Sequence, residues 1–78
     1  MNISSHARKE MEHSIITEGE VRECLQYGQL VIKQLVQGEK RYGKQIEFKN
    51  KRIVVIYTYE NQEEKVITMY PIRRKKEW

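Results

Sequence analysis

Seventy-eight residues with one cysteine, no aspartate and a formal charge of +4 leave room for one small domain without an intrachain disulfide. The longest unbroken apolar run, residues 53–57, is too short to cross a bilayer, and no apolar block follows the N-terminus as a secretion signal requires. The expectation is a soluble protein of a reducing cytoplasm, built as a single α+β domain over residues 1–78 with a basic tail at 72–78.

The charge is unevenly spread. Residues 1–30 carry three basic and five acidic side chains, whereas residues 31–78 carry twelve basic and six acidic. A basic half points toward a polyanion, either nucleic acid or an acidic protein, although small soluble proteins are often basic for solubility alone.

In chain order, Ser4 or Ser5 caps a first helix over about residues 6–13, with Ala7, Met11 and Ile15 as its apolar stripe. Thr17-Glu18-Gly19-Glu20 has the spacing of a capping box, and Ile16 and Val21 that of a hydrophobic staple. The second helix that follows buries Val21, Cys24 and Leu25 and stops at Gly28, a residue suited to the left-handed position beyond a helix end. Residues 30–36 read as a first strand and 37–43 as a loop, because of Gly38, Gly43 and the charges between them. Residues 44–49 alternate as a half-buried strand.

The chain is organised around KRIVVIYTYENQEEKVITMYP, residues 51–71. Two β-branched and aromatic runs, 52–59 and 64–70, flank a polar tip and read as an antiparallel hairpin. A two-residue Asn61-Gln62 turn sets Tyr57 opposite Val66, Val55 opposite Thr68 and Ile53 opposite Tyr70. Ile56 then meets Ile67, and Val54 meets Met69, on the other face. The expected fold is α+β, with two short N-terminal helices on a four-stranded antiparallel sheet in the order ααββββ. A tight Asn50-Lys51 turn would put Ile46 and Phe48 on the face of Ile53, Val55 and Tyr57, and one more residue would put them on the other. In either register one end of the sheet gathers Lys49, Lys51, Arg52, Arg73 and Arg74, a cluster able to hold phosphates. Such residues also serve simply as solvated protection for a sheet edge.

No metal-ligand set, glycine-rich phosphate loop or nucleophile elbow is present, so no metal and no cofactor is expected. An enzyme built from these residues would have to work without metal or cofactor, which RNA permits, since its own 2′-hydroxyl supplies the nucleophile and the protein then needs an acid, a base and cations. His6, at a helix start, is the candidate for proton transfer. Thr68 and Tyr70, two residues apart on the last strand, are candidates for hydrogen bonds to a phosphate or leaving oxygen. The plainer readings are a solvent-facing histidine and ordinary strand composition. His13 reads as a helix-end residue near the dipole, and Cys24 as a small core residue.

The segments SHARKEMEHSIITEGEVRECLQYGQ and RIVVIYTYENQEEKVITMYP resemble a small bacterial family of domains of unknown function. The family runs His-Ala-x-x-x-Met, then Ile-(Ser/Thr)-x-x-x-Val, then Val-x-Thr-x-Tyr-Pro. The matching positions are His6, Ala7, Met11, Ile16, Thr17, Val21, Thr68, Tyr70 and Pro71. The chain departs at His13 and Ser14, where many members carry arginine and glycine. That family is similar to the RelE/ParE and BrnT type toxins of toxin–antitoxin systems. The resemblance implies a RelE-like fold, a metal-independent endoribonuclease with His6 catalytic and Thr68 and Tyr70 beside it, RNA gripped by basic side chains, and an acidic antitoxin-like partner. Two other readings stand beside it: a binding module without catalysis, for nucleic acid or an acidic protein, and a homodimer formed through an apolar sheet face.

Overall fold

Both helices start where side-chain oxygens meet free backbone N–H groups. The computed structural model describes residues 1–72. Helix α1 (Ser5–Ser14) begins at Ser4, whose Oγ accepts the Ala7 N–H at 3.1 Å. It ends at Ile15, which adopts φ 54° and ψ 50° while its N–H reaches the Met11 and Glu12 carbonyls. The expected stripe is therefore cut short: Ala7 is buried and Met11 half-buried, but Ile15 is 80% exposed. Helix α2 (Glu18–Tyr27) carries both bonds of the capping box. Glu20 N–H donates to Thr17 Oγ1 at 3.1 Å, and Thr17 N–H donates to Glu20 Oε1 at 2.9 Å. Ile16 and Val21 are both buried, as a staple requires.

Gly28 ends α2, but in extended rather than left-handed geometry, at φ −69° and ψ 161°. Its need is for space: a Cβ there would lie 2.4 Å from the Cys24 carbonyl oxygen and 3.0 Å from that of Gln45. Glycine lets the helix end press against the sheet.

The sheet has five strands and is mixed, which corrects the expected four-stranded antiparallel arrangement; the α+β class holds. The strands are β1 (Asn2–Ile3), β2 (Gln29–Val36), β3 (Glu39–Glu47), β4 (Arg52–Glu60) and β5 (Glu63–Ile72), in spatial order β1-β5-β4-β3-β2. The extra strand pairs parallel with β5, Asn2 beside Lys65 and Ile3 beside Val66. Two residues are too few to show the alternation that marks a strand.

The expected loop over 37–43 shrinks to a two-residue turn, Gln37-Gly38, with positive φ at both positions, as tight hairpins prefer. Gly43 lies inside β3 and is buried. A Cβ on it would meet the Ile32 Cβ at 2.8 Å and the Ile56 Cδ1 at 3.0 Å, so this glycine lets two isoleucines close over the strand.

Between β3 and β4 the turn is Lys49-Asn50, one residue earlier than Asn50-Lys51, closed by Phe48 N–H donating to Lys51 O at 2.7 Å. Ile46 pairs with Ile53, so Ile46 and Phe48 share the face of Ile53, Val55 and Tyr57.

In the β4–β5 hairpin the pairing runs as expected from Glu60–Glu63 to Tyr57–Val66 and then slips at Ile67. Beyond the bulge, Ile56 pairs with Thr68, Val55 with Met69, Val54 with Tyr70, Ile53 with Pro71 and Arg52 with Ile72. The expected partners Val55–Thr68, Ile53–Tyr70, Ile56–Ile67 and Val54–Met69 are corrected accordingly. The physical reason is double. The slip turns Met69 into the core, where it is 1% exposed, and Ser4 binds the two carbonyls at the bulge. Ser4 N–H donates to Val66 O at 3.0 Å, and Ser4 Oγ donates to Ile67 O at 3.1 Å.

Both helices cover one sheet face. Ala7, Ile16, Val21, Cys24 and Leu25 pack there on Ile53, Val55, Tyr57, Val66 and Met69. The molecule measures 45 × 23 × 21 Å, and the sheet runs past the helices toward the β2–β3 and β4–β5 turns.

Candidate functional site

The register brings the end of β3, the start of β4 and the end of β5 to one rim, with Glu47 beside Arg52 and Arg52 beside Ile72. Of the five cations expected there, Lys49, Lys51 and Arg52 are described; Arg73 and Arg74 lie outside the described residues. Lys49 is exposed in the turn. Lys51 is turned inward: its Nζ donates to Ile15 O at 2.8 Å and pairs with Glu20 Oε1 at 2.8 Å, tying the rim to the α1–α2 corner. Burial alone would raise the Glu20 carboxyl, but the Lys51 ammonium and the Thr17 N–H outweigh it and hold the group below its ordinary range.

Arg52 divides its donors. One terminal nitrogen, Nη2, binds Glu47 Oε1 at 2.6 Å, while Nε is buried and has no partner among the described residues. A buried donor left unpaired is costly unless something accepts from it. Lys49, Asn50, Lys51 and Arg52 line a hollow of about 170 Å³ at this point. Turn and arginine together offer an anion a charge-assisted bond and a nearby ammonium.

His6 is the second residue of α1 and is exposed. The helix starts beside Val66 and Ile67 and runs toward Ile15, whose carbonyl holds Lys51. His6 is thus about 13 Å from the rim along the helix axis, at about 1.5 Å per residue, whereas exposed His13, in the last turn, is closer. Thr68 and Tyr70 pair with Ile56 and Val54, on the face opposite the helices. The structure does not bring His6 together with Thr68 and Tyr70; it does set Tyr70 and Arg52 on the same sheet face.

A cluster the sequence reading passed over lies at the other end of the sheet. The Tyr42, Tyr57 and Tyr59 rings have centroids 5.6–5.8 Å apart. Lys44 Nζ lies 5.6 Å from the Tyr57 ring centroid and donates to Leu25 O at 2.6 Å, capping the end of α2. Burial, with Tyr59 and Glu64 nearby, pushes the Tyr57 hydroxyl up to about 12. Tyr57-x-Tyr59 was a readable signal, but Tyr42 falls in what reads as a loop. Cys24, buried and donating from Sγ to Lys44 O at 3.3 Å, is a core thiol that burial pushes up to about 11.

Among the described residues no three His, Cys, Asp or Glu side chains are grouped to hold a metal ion, and no helix is long and apolar enough to cross a membrane. The model of one family, described as Domain of unknown function (DUF4258), matches residues 3–71. The chain belongs to this family. No curated protein and no solved structure matches it. The DUF4258 match takes in both helices, the rim turn and the tyrosine cluster, and it stops before Arg73.

Proposed function

We propose that this DUF4258 domain binds RNA through the rim between β3 and β4. The observation that supports it best is the hollow lined by Lys49, Lys51 and Arg52, where Arg52 Nε has no partner among the described residues. A phosphate seated in the hollow is met by the Arg52 guanidinium and the exposed Lys49 ammonium, and the wider basic half of the chain attracts the rest of the backbone. An acidic antitoxin-like protein would compete for the same two cations.

The test is a titration of labelled RNA with wild type and with a Lys49→Gln, Arg52→Gln double variant, each shown to be folded by its thermal melt. The double variant binds about tenfold more weakly or worse; equal binding rejects the rim. The relation to RelE/ParE and BrnT type ribonucleases is a further step in the same reading, with His6 moving a proton. It is tested by incubating RNA with the protein in EDTA, where cleavage by wild type and its loss in His6→Ala support the step. His6 lies apart from both Thr68 and the rim, which favours binding without cleavage.

A further inference from the structure

The open end of the helix-covered face offers a second kind of chemistry. Tyr42 and Tyr59 line a hollow of about 500 Å³ together with Gln37, Gly38, Glu39, Lys40 and Thr58. Tyr42 and Lys40 also line a neighbouring hollow of about 330 Å³, completed by Lys33, Gln34 and Leu35. One aromatic ring and one ammonium thus stand between two depressions. Tyr59 is 54% exposed and Leu35 is 70% exposed, so apolar surface is presented to solvent at both.

The platform is held in place. Tyr42 pairs across the strands with Tyr57, which is 3% exposed, and Tyr59 meets both rings edge-on. Thr58 Oγ1 donates to Lys40 O at 2.7 Å, fixing the strand that carries Lys40. Glu64 stands opposite Tyr59 and near Tyr57, one negative charge against the two lysines Lys33 and Lys40, and the other carboxylates nearby are paired. Glu39 is paired with Arg41 at 3.0 Å, Glu60 with Lys65 at 3.1 Å and Glu63 with the N-terminal ammonium at 3.0 Å. Among the described residues no carboxylate pairs with Lys33 or Lys40. A ligand for this place has flat apolar faces and negative charge between them.

We propose that Tyr42 and Tyr59, backed by the buried Tyr57, form a stacking platform for the bases of single-stranded RNA, with Lys33 and Lys40 meeting the phosphates between them. Unpaired bases stack on exposed aromatic rings whatever their identity, and lysines beside the rings follow the backbone. A duplex hides those faces and gains nothing from the tyrosines. The inference rests on the RNA-binding reading and adds the strand state of the ligand. The platform is distinct from the rim: Tyr59 is seven residues along β4 from Arg52, about 23 Å in an extended strand.

The test compares three probes: a short single-stranded oligouridine, an abasic counterpart with the same number of phosphates, and an RNA duplex of the same length. Each is titrated with wild type, Tyr59→Ala, Tyr59→Phe and the rim double variant. The proposal predicts that oligouridine binds more tightly than the abasic strand and the duplex. Tyr59→Ala loses about ten- to one-hundredfold for oligouridine, at about one to two decades per stacked base; it changes the abasic strand little, and Tyr59→Phe retains binding. Tyr59 is half exposed and outside the core cluster, so its removal leaves the fold intact. Abasic and oligouridine strands binding alike, with Tyr59→Ala like wild type and only the rim variant weakened, overturns the platform and leaves the rim standing. A duplex bound as tightly as the single strand also overturns it. No binding of any probe removes both.

Discussion

Ser4 Oγ donates to the Ile67 carbonyl at 3.1 Å across 63 positions of sequence while accepting the Ala7 N–H at the same distance. One hydroxyl therefore caps α1 and pins the bulge in β5. The bulge, in turn, decides that Met69 faces the core and that Thr68 and Tyr70 face away from the helices.

Ser4→Ala removes both bonds and leaves the Ile67 carbonyl without this donor. The expected loss is about 2 kcal/mol, from a missing cap and an orphaned acceptor. Ser5→Ala, one position into the helix, changes stability by less than about 0.5 kcal/mol. Urea denaturation of the two variants measures the contrast.

Gly19 within α2 and Gly28 just beyond its end respond in opposite directions. Gly28→Ala drives a methyl against the Cys24 and Gln45 carbonyls and destabilises by about 1–3 kcal/mol. Gly19→Ala meets only Thr17 Oγ1, at 3.9 Å, and stabilises by up to about 1 kcal/mol through helix propensity. Thermal melts of both proteins check the pair of signs.

Acid acts on the α1–α2 corner through Glu20. Its carboxyl is depressed in the folded protein, so its contribution to stability is fully present above the unfolded value and fades as pH falls through the folded one. Glu20→Gln keeps a capping side chain but loses the Lys51 ion pair. Wild type exceeds this variant by about 1 kcal/mol near neutral pH, and the gap closes as pH falls through the depressed range of the folded carboxyl. Urea midpoints across pH report it.

Cys24 is shut off from reagents in two ways: it is buried, and its thiol titrates at about 11, so little thiolate exists at neutral pH. Iodoacetamide labels it slowly in the native protein and quickly in urea. Mass spectrometry across time shows the difference.

These residues also show what could be read from the chain by itself. The Thr17–Glu20 box, the Ile16–Val21 staple and the Tyr57–Val66 pairing are local or follow from a two-residue turn, and each is found as expected. The strand at Asn2–Ile3 and the slip at Ile67 depend on Ser4 meeting residues more than sixty positions away, which periodicity does not record. Gly43 has the same letter as a loop glycine, but its cause is the contact between Ile32 and Ile56 across it. Placing it in a loop hid Tyr42, and with it the tyrosine cluster. The rim was legible as a gathering of basic residues. That Lys51 is spent on Glu20, while Arg52 Nε has no partner among the described residues, depends on contacts across the fold that spacing does not record.

The most direct measurement for the rim is the salt dependence of RNA binding. The slope of log K against log salt is negative for wild type and becomes shallower by about one to two in the Lys49→Gln, Arg52→Gln variant, as two phosphate contacts are lost. A slope near zero in wild type, or the same slope in both proteins, contradicts the assignment of the β3–β4 rim as the phosphate site.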